Sequence, residues 1–371
     1  MIVDRRTMLK AAGTAAVLST TGLAGCVGGN GDDDDDGSES DALPAYESWV
    51  VMDDERATFA YIDWAGLEEL EDDADDDEAD PTDPEEDDAP DEYEDEDPMI
   101  AVPMAGMLAV AMGASFGTVG TGLDTVIDME GDALAADDAD TTLEELLLVN
   151  DAYVFTGDVD VEEVETALLE EHDDPLMDAA TFEQTDEHGE FTVYESEPED
   201  DADSTATSDA VAVSAEAIVL APGSETDDGI DSLTPVLEGV EGDGERASDA
   251  EADLEWLLET AGEGHIVFGG YGEDEDDETT APDDEDLEEP DAAGDEEFDD
   301  STGLVASLSL EEDESANGDF AATFDSIDDK TESELEADVG SSADDVTLDI
   351  DRDAGRVSAS ATWDADNETL E

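Results

Sequence analysis

Basic residues are scarce in this sequence: the chain of 371 residues holds 8 Lys or Arg against 119 Asp or Glu, a formal net charge of -111. A nucleic-acid-binding surface needs Lys and Arg to neutralise phosphates, so this balance excludes nucleic acid as a partner. So large a charge expands an ordinary fold by self-repulsion at low salt. At molar salt the Debye length falls to roughly 3 Å, and most of the repulsion is screened. The composition therefore predicts a protein that folds in brine.

Cysteine and histidine are almost absent as well. Cys26 is the only cysteine, which excludes an internal disulfide and removes the thiolate that a blue-copper site needs. The three histidines, His172, His188 and His265, do not have the spacing of a zinc hydrolase. We therefore predict no metal site and no cofactor.

Apolar residues are nevertheless frequent enough for a folded core. They make up 38% of the chain and recur in periodic segments, which argues against an acidic disordered tail. The length allows one large domain or two modest ones.

The clearest motif lies in the first 26 residues. Arg5 and Arg6 open the chain, a short uncharged apolar stretch follows, and the segment ends in Leu-Ala-Gly before Cys26. A charged start, an apolar stretch too short to span a bilayer and small residues before a cleavage point are typical of a signal peptide. Paired arginines are typical of the twin-arginine export type.

This segment resembles the Tat-exported lipoproteins of haloarchaea. The resemblance implies that Arg5 and Arg6 are recognised by the transporter, that residues 1–25 are removed, and that Cys26 carries a lipid. It also implies that the protein sits on the outer face of the cell membrane, with the membrane as a partner through Cys26. The resemblance covers the first 26 residues, and an uncleaved N-terminal anchor is the alternative.

Shifts in composition divide the rest of the chain. Residues 26–44 form an acidic tether, and residues 45–272 form an α+β domain. That domain contains a disordered acidic insertion at 68–97, where Asp, Glu, Pro and Ala dominate. A second acidic stretch, 273–300, is a linker or an insertion before a C-terminal β-α-β-β unit at 301–371.

An internal repeat predicts the fold class. An apolar strand ends near Asp158 and another near Asp325, and each leads into an apolar helical pattern. A further strand then opens at Gly189 and at Gly355, so the spacing from Asp to Gly is 31 and 30. We interpret these segments as repeated β-α-β units in an α+β fold with antiparallel sheets covered on one face. The best specific arrangement is ferredoxin-like.

Two further segments carry structural predictions. Trp49–Met52 and Ala57–Ile62 are expected to be strands joined by a polar turn. Pro98–Leu123 contains no charged residue across 26 positions, a length that spans a membrane. Its five glycines, two prolines and lack of basic flanks favour a buried helix. Its four methionines are expected to fill the core rather than bind copper(I).

One short pattern suggests catalysis. Gly113-Ala114-Ser115-Phe116-Gly117 matches the nucleophile elbow of serine hydrolases, in which Ser115 would attack and His265 would act as base. The match is weak, because the following Gly-rich residues are a poor start for the helix that the elbow requires. Asn367 begins a glycosylation triplet, Asn-Glu-Thr.

The sequence therefore favours a non-enzymatic surface lipoprotein that binds a ligand or a partner. A solute-binding lipoprotein of a transporter is the first alternative, and two α/β lobes joined by a hinge would support it. A serine hydrolase centred on Ser115 is the second alternative.

Overall fold

The structure is a computed structural model. It describes residues 43–53, 55–74, 97–118, 121–127, 134–136, 139–169, 181–196, 208–224, 228–242, 244–272, 298, 301–311, 313 and 315–365. The predicted signal peptide and nearly all of the tether lie outside these residues.

Twelve strands form a single sheet. They are β1 Ala57–Asp63, β2 Thr142–Val149, β3 Ala152–Asp158, β4 Phe182–His188, β5 Phe191–Ser196, β6 Ala210–Val213, β7 Ala217–Ala221, β8 Ile266–Tyr271, β9 Ser301–Leu310, β10 Ala316–Phe324, β11 Asp345–Asp351 and β12 Arg356–Trp363. Their order across the sheet is β11-β12-β10-β9-β8-β1-β2-β3-β7-β6-β5-β4. Every neighbouring pair is antiparallel.

Seven α-helices accompany the sheet in the described part of the chain. They are α1 Trp64–Ala74, α2 Pro98–Thr118, α3 Val161–Leu169, α4 Gly229–Glu241, α5 Ala247–Ala250, α6 Ala252–Ala261 and α7 Asp329–Asp338. The mixture of helices with an antiparallel sheet is an α+β architecture, as the sequence predicts.

Helices cover both faces of the sheet, whereas one covered face was expected. Neighbouring residues of a strand point to opposite faces. On β1, Phe59 packs into a core with α4 and α6, whereas Ile62 packs into a core with α2 and α3. The prediction of one covered face was wrong. The strands β6 and β7 are short apolar runs that are buried on both faces. Periodicity alone does not show how many faces of such a run are buried.

The two segments of the predicted repeat, which we call the first copy and the second copy, share an order of elements but not a pairing, because β10 pairs with β12 whereas β3 pairs with β7. The strand, helix and Gly-initiated strand of each copy are β3, α3 and β5 in the first and β10, α7 and β12 in the second. An additional strand, β4 or β11, precedes the Gly-initiated strand and pairs with it as a hairpin. The repeat and the ferredoxin-like arrangement both stay predictions.

The C-terminal unit continues the same sheet. β9 pairs with β8 from Ile266 opposite Leu308 to Tyr271 opposite Gly303. The strands that follow residue 300 are therefore joined to the preceding domain by backbone hydrogen bonds.

The predicted strand Trp49–Met52 is wrong. Ala45–Trp49 is a 3-10 helix, and Val51 makes an isolated bridge with Arg246. A 3-10 helix brings residues three apart onto one side, and this turn buries Tyr46 and Trp49 together. The Tyr46 hydroxyl donates a hydrogen bond of 2.8 Å to the Gly262 carbonyl, which fixes the turn against the end of α6.

The acidic insertion is shorter than predicted at both ends. Residues 68–74 belong to α1, which is held in place because Trp64 and Leu67, one helical turn apart, pack against the core. Asp97 is 3% exposed and accepts hydrogen bonds from the amides of Met99 and Gly340. The residues between 74 and 97 lie outside the described part of the chain.

The uncharged segment forms a helix, α2, as predicted, but only one side of it is buried. Val110 and Ala114 are fully buried, whereas Phe116 is 70% exposed. By length and composition α2 is apolar enough to cross a membrane, and one third of its apolar window is buried within the fold.

Candidate functional site

All four residues that the sequence analysis singled out for export and modification fall outside the described residues. These are Arg5, Arg6, Cys26 and Asn367.

Ser115 does not occupy a nucleophile elbow. It lies inside α2, where its hydroxyl donates a hydrogen bond of 2.7 Å to the Ala111 carbonyl one turn earlier. His265 precedes β8, and its Nδ1 accepts the Leu310 amide at 3.0 Å. The two side chains thus have other partners, and no strand-to-helix turn presents Ser115.

The methionines of α2 do not converge on one point. Met99 and Met107 are buried, whereas Met112 is 52% exposed. Such a spread fits core filling by one side of the helix. Within the described ranges, no group of three or more His, Cys, Asp and Glu side chains has the geometry to hold a metal ion.

A polar surface lies at the β11–β12 end of the sheet. On β12, Val357, Ala359 and Ala361 are buried on the side of α7, and the residues between them point to the opposite side. That opposite side, which we call the open face, belongs to the side of the sheet that α4 and α6 cover elsewhere. The open face consists of Asp345, Thr347, Asp349 and Asp351 of β11 and of Arg356, Ser358, Ser360 and Thr362 of β12.

A groove of about 250 Å³ lies where α6 meets the open face. We call it the Arg356 groove. Its lining residues are Trp256, Asp349, Asp351, Ala354, Arg356 and Ser358.

Arg356 is fixed at the centre of the groove by two residues of α6. Its guanidinium carbon lies 4.6 Å from the centroid of the Trp256 ring. One terminal nitrogen of Arg356 lies 2.7 Å from Oδ1 of Asp253. Aromatic stacking and a charge-assisted hydrogen bond hold the planar guanidinium in one orientation while leaving further N–H donors for a ligand.

Strand pairing sets the spacing of the acceptors in the groove. Asp351 lies opposite Arg356 and Asp349 lies opposite Ser358 in the β11–β12 register. Directly opposed residues have Cβ atoms about 5 Å apart. The groove therefore presents carboxylates, a hydroxyl and a guanidinium at separations that suit a ligand with several polar groups.

The net charge of the groove limits its ligands. Asp253, Asp349 and Asp351 provide three carboxylates around the single guanidinium of Arg356. An anion would meet net repulsion there. A cation would be attracted, but at molar salt both the repulsion and the attraction between exposed charges are largely screened.

A second groove of about 340 Å³ continues along the open face. In it, Ser360 donates a hydrogen bond of 2.5 Å to Asp319, and Thr362 donates one of 3.1 Å to Asn317. Burial raises the pKa of Asp319, the nearby charge of Glu263 adds to the rise, and the Ser360 bond opposes it. Hydroxyl and carboxyl groups therefore line the whole length of the open face.

The sequence analysis did not identify the Arg356 groove. Trp256 and Arg356 are one hundred residues apart, so no local motif joins them. The scarcity of Lys and Arg residues offered one indication of the groove. Three of the eight Lys and Arg residues precede Cys26, which leaves five, and one of these five alternates with the apolar residues of β12.

Comparisons with protein-family models, with curated proteins and with solved structures find no match for this chain.

Proposed function

We propose that the protein is an exported, lipid-anchored binding protein of a halophile's cell surface, and that the Arg356 groove holds a neutral polyhydroxyl ligand such as a sugar unit of a surface glycan. The observation that carries this proposal is the fixed Trp256–Arg356–Asp253 cluster on the open face. Elsewhere on the same side, the corresponding strand faces are covered by α4 and α6.

The chemistry of the groove supports a neutral ligand. The charge ratio gives an anion no attraction, and molar salt removes most of the attraction for a cation. Hydrogen bonds to hydroxyls do not depend on net charge. Asp349 and Asp351 accept such bonds, Arg356 donates them, and Ser358 does both.

The N-terminal motif supports the location. Arg5 and Arg6 with Cys26 are the basis for export and for lipidation. The net charge of -111 supports a protein that works in brine, outside the cell or within it. A glycan is a ligand that a protein on the outer surface meets.

The alternatives have less support. A solute-binding protein of a transporter would need two α/β lobes with a hinge, whereas the described strands form one antiparallel sheet. A hydrolase would need Ser115 at a strand-to-helix turn, whereas Ser115 lies within the last turns of helix α2.

The experiment is a titration of tryptophan fluorescence in 3 M KCl, with a panel of methyl glycosides, and with sulfate and spermidine as charged probes. We expect a glycoside to change the emission of Trp256, and sulfate and spermidine to leave it unchanged. Replacing Arg356 by Lys keeps the charge but loses the planar donors, and should weaken binding about tenfold or more, as expected for one lost charge-assisted hydrogen bond.

The matched control is Glu183→Gln, an exposed carboxylate on β4 at the opposite edge of the sheet. It should bind the glycoside like the native protein, whereas Asp349→Asn should bind it less well. A response to spermidine alone, or equal glycoside affinity in Arg356→Lys, would refute the assignment of the groove.

A further inference from the structure

The helix α2 carries an exposed apolar stripe. Leu108, Met112 and Phe116 are 43%, 52% and 70% exposed. Their spacing of four places them on one side of the helix. They are three of the five large hydrophobic side chains that are exposed in the described part of the chain. We call these three residues the apolar stripe.

The opposite side of α2 is locked onto the sheet. A Cβ added at Gly106 would lie 2.5 Å from the Phe268 ring, and one added at Gly113 would overlap the Tyr153 hydroxyl. These glycines allow the helix backbone to approach the strands closely. Val110 is fully buried between them. Because α2 contributes to the cores on its side of the sheet, moving it across a bilayer would dismantle the fold.

The surroundings of the stripe on α2 are uncharged. From Pro98 to Leu123 the sequence has no charged residue, whereas 34% of the whole chain is charged. Placing this side of the helix in an apolar medium therefore removes no charge of α2 from water. The transfer thus avoids its largest penalty, the burial of an unpaired charge.

The size of the stripe decides between two occupants. Three large side chains at these exposed fractions offer roughly 300 Å² of apolar surface, since a large side chain buries about 200 Å². A stable interface with a second copy needs about 800 Å² on each partner. A lipid surface has no such minimum, because each apolar side chain enters it separately.

The tether places a membrane within reach. Seventeen positions separate Cys26 from Leu43, where the described structure begins. Fully extended, that length of chain spans at most about 60 Å. A domain held this close to a bilayer meets the bilayer surface at high effective concentration.

We propose that the apolar stripe lies in the surface of the membrane to which Cys26 is anchored, with α2 parallel to that surface. This inference rests on the lipid anchor of the proposed function. The stripe adds its own apolar contact with the bilayer to that of the anchor, and it orients the domain relative to the lipid.

The test uses the full native protein in membranes of its own cells, kept in molar salt. A lipid-soluble carbene reagent is activated by light, and the protein is then denatured and digested at Asp. The digestion releases Asp97–Leu123 as one peptide, because no Asp lies between Asp97 and Asp124. We expect carbene adducts on the three stripe residues at about tenfold the level on Val110 and Ala114, as for a helix lying in the interface.

Two other patterns would overturn the proposal. Adducts spread evenly around the helix, Val110 and Ala114 included, would mean that α2 spans the bilayer. An unlabelled peptide would mean that protein, from this chain or another, covers the stripe. The same digest reports the mass of the peptide that contains Cys26, so a missing lipid is detected independently of the α2 pattern.

A variant with Leu108, Met112 and Phe116 all replaced by Ser provides the functional arm. It should lose the adducts, and a larger share of it should be released by a brine wash that leaves the native protein bound. The matched control is Val346→Ser, which changes a 46% exposed apolar residue of β11. Equal release of the triple variant and the native protein would contradict a role of the stripe in membrane binding.

Discussion

The first and second copies of the predicted repeat differ on the side of the sheet that α4 and α6 cover. In the first copy, β5 is followed by β6 and β7. On this side of the sheet, Val193 of β5, Ala212 of β6 and Val219 of β7 are buried together with residues of α4. In the second copy, β11 and β12 place Asp349 and Ser358 on the same side, and these residues line a groove.

The difference shows that one sheet can carry both an apolar covered face and a polar open face. Where a helix covers the sheet, the strand faces are apolar and contribute to the core. Where no described helix lies over β11, the same backbone carries hydroxyls and carboxylates. The first copy therefore contributes to the core, and the second copy leaves exposed the polar face on which the proposed binding depends.

The largest effect is expected from lowering the salt concentration, which should unfold both copies at once. Lowering the salt from molar to about 0.1 M lengthens the Debye length to about 10 Å and restores repulsion among 119 acidic residues. We expect the near-UV circular dichroism to disappear in one transition, because the twelve described strands belong to one sheet. A fold that survives dialysis would contradict the adaptation to brine, and two separate transitions would contradict a single cooperative sheet.

The next largest effect separates the two copies. Ala212→Asn places an unpaired amide in the covered core of the first copy, and should lower the free energy of unfolding by about 2–4 kcal/mol. Ser358→Asn makes a similar change on the open face, and should alter the free energy of unfolding by about 0.5 kcal/mol or less. Urea unfolding in 3 M KCl measures both. Equal losses would show that the open face is as tightly packed as the covered one.

A smaller effect concerns the attachment of α2 to the second copy. Asp97 is buried and accepts bonds from the Gly340 and Ser342 amides at 3.0 Å and from the Ser342 hydroxyl at 2.8 Å. Trp363 donates to that hydroxyl at 2.9 Å, which extends the network to β12. Asp97→Asn should therefore lower the free energy of unfolding by about 1–2 kcal/mol.

Amide hydrogen exchange locates the effect of Asp97→Asn. The loss should appear as faster exchange in the loop after α7 and at the start of α2, while α3 of the first copy keeps its protection. A variant in which both copies exchange faster to the same extent would show that Asp97 stabilises the whole sheet rather than this attachment.

The smallest effect concerns two carboxyl groups of the second copy, whose contributions to stability should depend on pH in opposite directions. Hydrogen bonds from the Thr331 and Lys330 amides lower the pKa of Asp328 at the start of α7, so the cap is present above the ordinary Asp value and is lost as the pH falls through the lowered pKa. Burial raises the pKa of Asp319, so its ionised form is unfavourable in the fold and acidification relieves that cost.

Carbon-13 NMR of the carboxyl groups, recorded in molar salt, measures both pKa values. We expect Asp319 to titrate above Asp328, with faster amide exchange in α7 once Asp328 is protonated. Identical titration of the two carboxyls would mean that neither environment differs from solvent.

Sequence patterns predicted the elements that bury an apolar face. β1 carries Phe59 and Ile62 on its two buried faces, and the hairpin of β6 and β7 consists of apolar residues separated by a short polar turn. β4 and β11 were missed because their sequences, Phe-Glu-Gln-Thr-Asp-Glu-His and Asp-Val-Thr-Leu-Asp-Ile-Asp, are acidic edge strands that resemble the surrounding loops. Charged edges discourage pairing with other chains, and the same charges hide the strand pattern.

The candidate site was less predictable than the fold. The groove needs Trp256 from α6 next to Arg356 from β12, and that contact depends on the position of the second copy in the sheet. Acidic residues are so common in this chain that Asp349 and Asp351 carried no signal in the sequence. The stripe on α2 was hidden for a different reason, because a fully uncharged helix gives no indication of which side is buried.

The most direct test of the account is native mass spectrometry, in volatile salt after a brine wash, of the mature protein purified from its own membrane. The account predicts a chain that begins at a lipidated Cys26 and carries a sugar adduct, with much less of the adduct on Arg356→Lys. A lipidated chain without any adduct, or an equal amount of sugar adduct on Arg356→Lys, would contradict the assignment of the open face as the binding surface.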